Sequence, residues 1–182
     1  LVIPQKRLVR ILERIKERLP WVERVGIYAN TKSIGLKTDE QLAELKNLGI
    51  KIAYLGLESG DDQILKEIRK GADSQKMITM GKRVRKAGIK LSITVLLGLG
   101  QKERSREHAL ATGKVLTAID PEFVGALSLM LVPGSELYEA NEKGEFKVLG
   151  PQDMLEELGL MISATHLTNG LFHANHASNY LP

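Results

Sequence analysis

Tyr54-Leu-Gly-Leu-Glu-Ser-Gly60 is the stretch on which the fold of this chain turns. An apolar run stops abruptly on a carboxylate, a hydroxyl and a glycine, as a buried strand does where it meets a polar turn. Working outward, residues 50–57 read as the strand, and a helix pattern over 61–70 closes at Gly71. A second helix pattern, capped by Ser74, runs to Gly88 and leads into a strand over 89–97. Its core, Ile93-Thr-Val-Leu-Leu97, is nearly continuous in apolar residues and predicts cover on both faces.

The alternation extends both ways. Upstream, Leu8, Ile11, Leu12, Ile15 and Leu19 recur at three- and four-residue spacing, predicting an amphipathic helix over 5–19 that Pro20 stops. A strand over 25–29 follows, and then Thr38-Asp-Glu-Gln41, a capping-box pattern opening a helix that runs to Leu48 with Gly49 left-handed beyond it. Downstream, a helix over 104–118 passes through Asp120-Pro121 into a fourth strand over 123–131. After Pro133-Gly134 there follow a short helix over 135–143 and a longer one from Gly150-Pro151, where proline suits the first helical position. The tail over 169–182 has no clear periodicity.

Strands joined through helices pair in parallel by right-handed crossovers. About four such strands leave two α/β architectures: an open doubly wound sheet, or an arc of a TIM-like β/α barrel with a helical C-terminal extension. A single domain is expected, with its β/α part over 1–144 and a C-terminal helix and tail over 145–182 packed on it.

Of the 182 residues, 43% are hydrophobic and 26% charged, a composition ordinary for a globular chain with one core. The formal charge of +4 is too small an excess to imply nucleic acid without clustering. The clearest cluster, Lys82-Arg-Val-Arg-Lys86, alternates with apolar residues and reads first as a solvated helix face, with an anion-binding role as the alternative. No apolar run approaches the roughly 20 residues of a membrane-spanning helix, and the first stretch is amphipathic and basic rather than secretory. The absence of cysteine excludes a disulfide framework and any thiolate-held metal, and fits a cytoplasmic setting. The chain enters a helix almost at once from Leu1 and closes on the apolar, turn-like Leu181-Pro182, so a piece of a longer protein is expected.

In a parallel β/α fold, ligands sit beyond the carboxyl ends of the strands. The turns there are Asn30-Thr-Lys-Ser33, Glu58-Ser-Gly-Asp61, Gly98-Leu-Gly-Gln101 and Val132-Pro-Gly-Ser135. Glu58 and Ser59 are the most informative pair, since a carboxylate ending an apolar strand needs hydrogen-bond donors, and ribose hydroxyls are suitable ones. The alternative is a helix N-cap made by Ser59 or Asp61. Gly98 and Gly100 let a ligand approach the backbone, without the third glycine of a dinucleotide fingerprint. His173 and His176 are spaced like a metal pair but lack a nearby carboxylate, and His108 reads as a surface residue.

In their joint order and spacing, Gly56-Leu-Glu-Ser-Gly60, Leu65-Lys-Glu-Ile-Arg-Lys-Gly71, Gly88, Gly98-Leu-Gly100 and Pro133-Gly-Ser-Glu-Leu-Tyr138 resemble the radical S-adenosylmethionine (SAM) superfamily over residues 8–138. The resemblance implies a six-unit partial β/α barrel, of which this chain is the part from the second helix through the sixth strand. The cysteine-bearing loop of the family would lie before Leu1. It implies further that Glu58 and Ser59 lie beside the ribose or amino-acid part of SAM. Lys70 falls where many relatives carry an arginine for the methionine carboxylate. Gly98 and Gly100 fall near adenine, as does Pro133, while Gln101 replaces a further glycine of many relatives. A complete member cleaves SAM reductively with a 4Fe-4S iron–sulfur cluster to make a 5′-deoxyadenosyl radical. Without cysteines, the chain is expected to be the inactive SAM-binding portion of such an Fe–S oxidoreductase, with no catalytic residue of its own. The alternative is a non-catalytic binding or scaffolding module of the same fold. An aldolase-like barrel is disfavoured, because Lys51 and Lys90 stand at the wrong ends of their strands. The expected partners are a small-molecule cofactor and a second copy of the chain, docked on the unpaired edge of the first strand.

Overall fold

The computed structural model describes residues 1–179; Leu181-Pro182, read as an apolar close, lies outside them. The chain runs α1 (Gln5–Arg18), β1 (Val25–Ala29), α2 (Thr31–Gly35), α3 (Asp39–Asn47), β2 (Ile50–Glu58), α4 (Asp62–Glu67), α5 (Ser74–Lys86) and β3 (Lys90–Leu97). It continues through α6 (Gln101–Ile119), β4 (Phe123–Ser128), α7 (Glu136–Glu142), α8 (Pro151–Ser163) and β5 (Leu171–His173). All neighbouring strands are parallel, and their spatial order is their sequence order, β1 to β5. A doubly wound sheet would reverse direction at a switch point; an unbroken order is an arc of a barrel.

Such an arc has one face under helices and one face open. Leu55 and Leu57 of β2, Leu91, Ile93 and Val95 of β3, and Val124 and Ala126 of β4 are buried beneath the helices. Their alternates, Tyr54, Gly56, Ser92, Thr94, Leu96, Gly125 and Leu127, are only partly buried. This corrects the expectation for Ile93-Thr-Val-Leu-Leu97. The run is apolar, yet Thr94 and Leu96 line the open face of an incomplete barrel. Register sets the open face in rows: Tyr28, Tyr54, Ser92, Phe123 and Leu171 form one, and Gly56, Thr94, Gly125 and His173 form the next, nearer the carboxyl ends.

Several ends differ from the sequence reading for local reasons. The Thr38 capping box forms in both directions, and Gly49 is left-handed as expected. The turn after β1 is instead a short helix, because Asn30 and Ser33 make a capping box of their own. Helix α5 is capped by Asp73 rather than Ser74, its carboxylate accepting the Lys76 N–H. Helix α4 stops well short of Gly71: Arg69, at φ 53°, takes the left-handed position, with Arg69 N–H on Lys66 O at 3.1 Å and Lys70 N–H on Leu65 O at 2.9 Å. That pair of bonds is a Schellman closure built on a non-glycine residue. The basic cluster on α5 is not a simple solvated face, since Arg83 pairs with Asp39 and Arg85 with Asp120 and Glu122.

The C-terminal extension is an integral layer. Gly113 lets α6 approach the end of α8 closely, for a Cβ there would lie 2.6 Å from Ala164 Cβ. The aperiodic tail then adds β5, a three-residue strand too short to show a pattern. Asn179 pins it beyond the strand, donating to Ala126 O at 2.8 Å and accepting from Ser128 N–H at 2.8 Å.

Candidate cofactor site

The register between β2 and β3 slips between Gly56 and Glu58, and Glu58 ends the strand at φ 64°. That conformation is costly for a side chain other than glycine. It folds the Glu58 carboxylate back over Gly56, where any Cβ would collide with Oε1. The Arg69 bend returns Lys70 to the same place, and its ammonium donates to Glu58 Oε1 at 2.8 Å. Both side chains keep 22% of their surface exposed, and Glu58 Oε2 has no hydrogen bond among the described residues. Glu58, Lys70 and Gly56 thus form one cluster on the open face.

Ser59 points the other way. It is fully buried, and its Oγ lies 2.8 Å from His108 Nδ1 while accepting the Asp61 N–H at 3.0 Å. Gly60 follows in contact with α6: its N–H donates to Thr112 Oγ1 at 2.8 Å, and a Cβ on it would lie 2.5 Å from Ala111 O. Asp61 is the N-cap of α4, accepting from Gln63 and Ile64 N–H, and it pairs with Arg104 at 2.5 Å. Burial alone would raise the Asp61 pKa, but the Arg104 hydrogen bond and charge and the capping amides outweigh it and hold the group below the usual carboxylate range.

After β3, Gly98 is left-handed at φ 90° and donates its N–H to Glu157 Oε1 at 2.7 Å. Gly100 packs against α6, where a Cβ would lie 2.8 Å from Arg104 O. Gln101, at φ 49°, accepts the Lys147 N–H at 2.8 Å. Pro133 stays exposed in the turn before α7; the link from that region to the Lys70 bend is the surface pair Arg69–Glu136 at 3.1 Å. The structure therefore gathers Glu58, Lys70 and the Gly98–Gly100 turn at one end of the sheet, with Ser59 behind them.

His108 is a correction to the sequence reading, being wholly buried. Glu157 was missed, although it is buried too. Both were findable from periodicity. His108 stands in the apolar stripe Thr112, Val115, Leu116 and Ile119, and Glu157 stands between Met154 and Met161. His173, on β5, projects with the open-face row and stacks on Phe123 with ring centroids 6.5 Å apart. No group of three or more potential ligand side chains forms a metal site among the described residues. None of the described helices is long and apolar enough to cross a membrane.

A parallel half-barrel with glycine-bearing turns and a strained carboxylate at its carboxyl end defines a class, the β/α-barrel proteins that hold a ligand over the strand ends. Within that class the chain belongs to the radical SAM superfamily, whose family model matches residues 3–112. It is 24% identical over 177 residues to the heme chaperone HemW of Bacillus subtilis, covering 96% of this chain and 45% of that protein. It is 31% identical over 144 residues to an uncharacterized protein of Methanocaldococcus jannaschii, covering 75% of this chain and 44% of that one. The chain thus spans less than half the length of these curated relatives. Among solved structures, the archaeal Elp3 of Methanocaldococcus infernus superposes with a TM-score of 0.70 at 18% identity, over 93% of this chain and 43% of that one. HemN from Escherichia coli, a coproporphyrinogen III oxidase, gives 0.66 at 14% identity, over 88% and 36%. At these identities the superpositions speak for the fold alone.

Proposed function

We propose that this chain is the SAM-binding portion of a radical SAM enzyme, taking the ribose and amino-acid parts of the cofactor at Glu58 and Lys70 and the adenine against the Gly98–Gly100 turn. The observation that carries the reading is Glu58 itself. A left-handed glutamate is maintained at the end of a buried strand, with one oxygen engaged by Lys70 and the other without a hydrogen bond among the described residues. Strain of about 1–2 kcal/mol, held where an acceptor is presented to a cleft, fits a ligand site. A ribose diol supplies the donors that Oε2 lacks. Lys70 offers a cation for a carboxylate, as a point charge rather than a bidentate fork. Ser59 supports the turn from behind, through His108, rather than facing the ligand. Pro133 closes the adenine side only through its turn.

The iron–sulfur cluster does not fit the residues present. The chain has no cysteine, so it offers no thiolate to a cluster, and no step of the reaction is assigned to it. The chain on its own is a binding unit, and the chemistry belongs to whatever supplies the cluster.

Isothermal titration with S-adenosylhomocysteine tests this directly. Saturable binding that Glu58→Ala weakens by about tenfold, the equivalent of one charge-assisted hydrogen bond, is expected. Binding unaffected by Glu58→Ala, or no binding at all, overturns the assignment.

A further inference from the structure

Glu157 lies on α8, beyond residues 3–112 of the family match, and is fully buried. A buried carboxylate is retained at such a place only where donors surround it. Gly98 N–H donates to Oε1 at 2.7 Å, Ser105 O–H to Oε2 at 2.5 Å, and His108 Nε2 stands 3.5 Å from Oε1. His108 Nε2 is also 3.0 Å from Leu96 O, an atom that only accepts, so Nε2 carries the proton. In the neutral ring Nδ1 is then the acceptor, and Ser59 donates its hydroxyl proton to it.

The bonds meet on α6. Glu157 on α8 joins the Gly98 turn to Ser105 of α6, and His108, one turn on along α6, joins Leu96 O at the end of β3 to Ser59, the residue after Glu58. Thr112, one turn beyond His108, secures the Gly60 N–H at 2.8 Å. Two turns from separate strands are thereby fixed relative to each other by side chains that touch neither open face.

We infer that Glu157 and His108 are positioning residues that hold the Glu58–Gly60 and Gly98–Gly100 turns at the separation one adenosine-bearing ligand requires, which makes α8 part of the cofactor site. The inference rests on the SAM reading of those turns. Glu157 acts by reach rather than charge. Its oxygens accept from a backbone N–H and a hydroxyl, and an amide oxygen of the same length still reaches the first of them. A shorter carboxylate keeps the charge and withdraws from the Gly98 N–H.

The test titrates S-adenosylhomocysteine into the full chain and its variants by calorimetry. Glu157→Gln is expected to bind within about threefold of the parent chain, and Glu157→Asp about tenfold more weakly, the worth of one buried hydrogen bond. Equal affinities, or a loss in Gln that Asp restores, overturn the positioning role. Hydrogen exchange in the unsubstituted chain gives a second reading that no folding defect can obscure. The ligand should slow exchange at the Gly60 and Gly98 amides together, whereas slowing confined to one turn overturns the coupling. If the unsubstituted chain binds no S-adenosylhomocysteine, it is the SAM reading that fails.

Discussion

After β1, Asn30 sits at an ordinary φ of −135°, accepts the Ser33 N–H and donates its own N–H to Ser33 Oγ; after β2, Glu58 sits at φ 64° with one oxygen without a partner among the described residues. Both turns follow parallel strands at the same end of one sheet, and both read as polar strand-end loops. In the first, Asn30 and Ser33 close on each other, and the turn becomes the start of α2. In the second, the groups divide: Ser59 and Asp61 are drawn inward to α6, and Glu58 is held outward in a conformation that only external support justifies. Polarity at a strand end therefore does not mark a ligand turn. Strain, together with an acceptor that has no partner among the described residues, is what the proposed reading of the second turn rests on.

The sharpest way to break this contrast is at Gly60. A methyl there would meet Ala111 O at 2.5 Å and Thr112 Cα at 2.6 Å, backbone that cannot rotate away. Gly60→Ala is expected to lose about 3 kcal/mol in urea unfolding, the upper end for overpacking. A loss below about 1 kcal/mol would mean that the second turn is as free of α6 as the first.

Asp61→Asn comes next. The folded pKa of Asp61 is depressed, so its contribution is complete above the unfolded value of about 4 and is lost as pH falls through the folded value. An asparagine still caps α4 but loses the charged bond to Arg104. We expect a deficit of about 1.5 kcal/mol at neutral pH that shrinks towards zero in strong acid, read from urea midpoints across the acid range. A deficit that persists in acid would assign the effect to the cap and not to the ion pair.

How far the sequence carries the fold shows in these same residues. The alternation of periods made the parallel sheet legible, and the capping box at Thr38 and the left-handed Gly49 were visible because each depends only on local chemistry. The end of α4 was not, because Gly71 offered the expected glycine while the closure fell on Arg69, a choice that serves the Lys70–Glu58 pair. The strand β5 is three residues long and held by Asn179, a contact across 53 residues that no periodicity encodes. Of the proposed site, Glu58 is legible as a carboxylate at a strand end, whereas Lys70 comes only through the family resemblance. The inward turn of Ser59 was not, since it depends on a histidine 49 residues away.

Asn30→Ala and Glu58→Gly test the contrast as a pair: the first should move stability and not binding, the second binding and hardly stability. Removing the Asn30 cap should lower stability by about 1 kcal/mol and leave S-adenosylhomocysteine affinity unchanged. Glu58→Gly relieves left-handed strain of about 1 kcal/mol, offset by the lost partly buried pair with Lys70 and by the freer unfolded chain. Its stability should stay within about 0.5 kcal/mol of the parent while its affinity falls about tenfold. An affinity loss in Asn30→Ala would place the first turn in the site as well and dissolve the distinction.

The smallest effect expected is at Gly125, on the open face between Thr94 and His173. Its φ is not left-handed, and an added Cβ would meet nothing closer than Leu127 Cδ1 at 3.9 Å, so neither conformation nor packing within the chain requires glycine there. Alanine at a strand-interior glycine should then stabilise the fold by about 0.5 kcal/mol. The glycine nevertheless keeps a shallow place open in the same row as Gly56. If Gly125→Ala gains stability and leaves S-adenosylhomocysteine affinity unchanged, the cofactor does not reach this row, and the space belongs to whatever second molecule enters the open face beside it. If affinity falls despite the gain, the ligand extends from Glu58 down to Gly125. The second turn would then be only the upper rim of a site that the sheet itself floors.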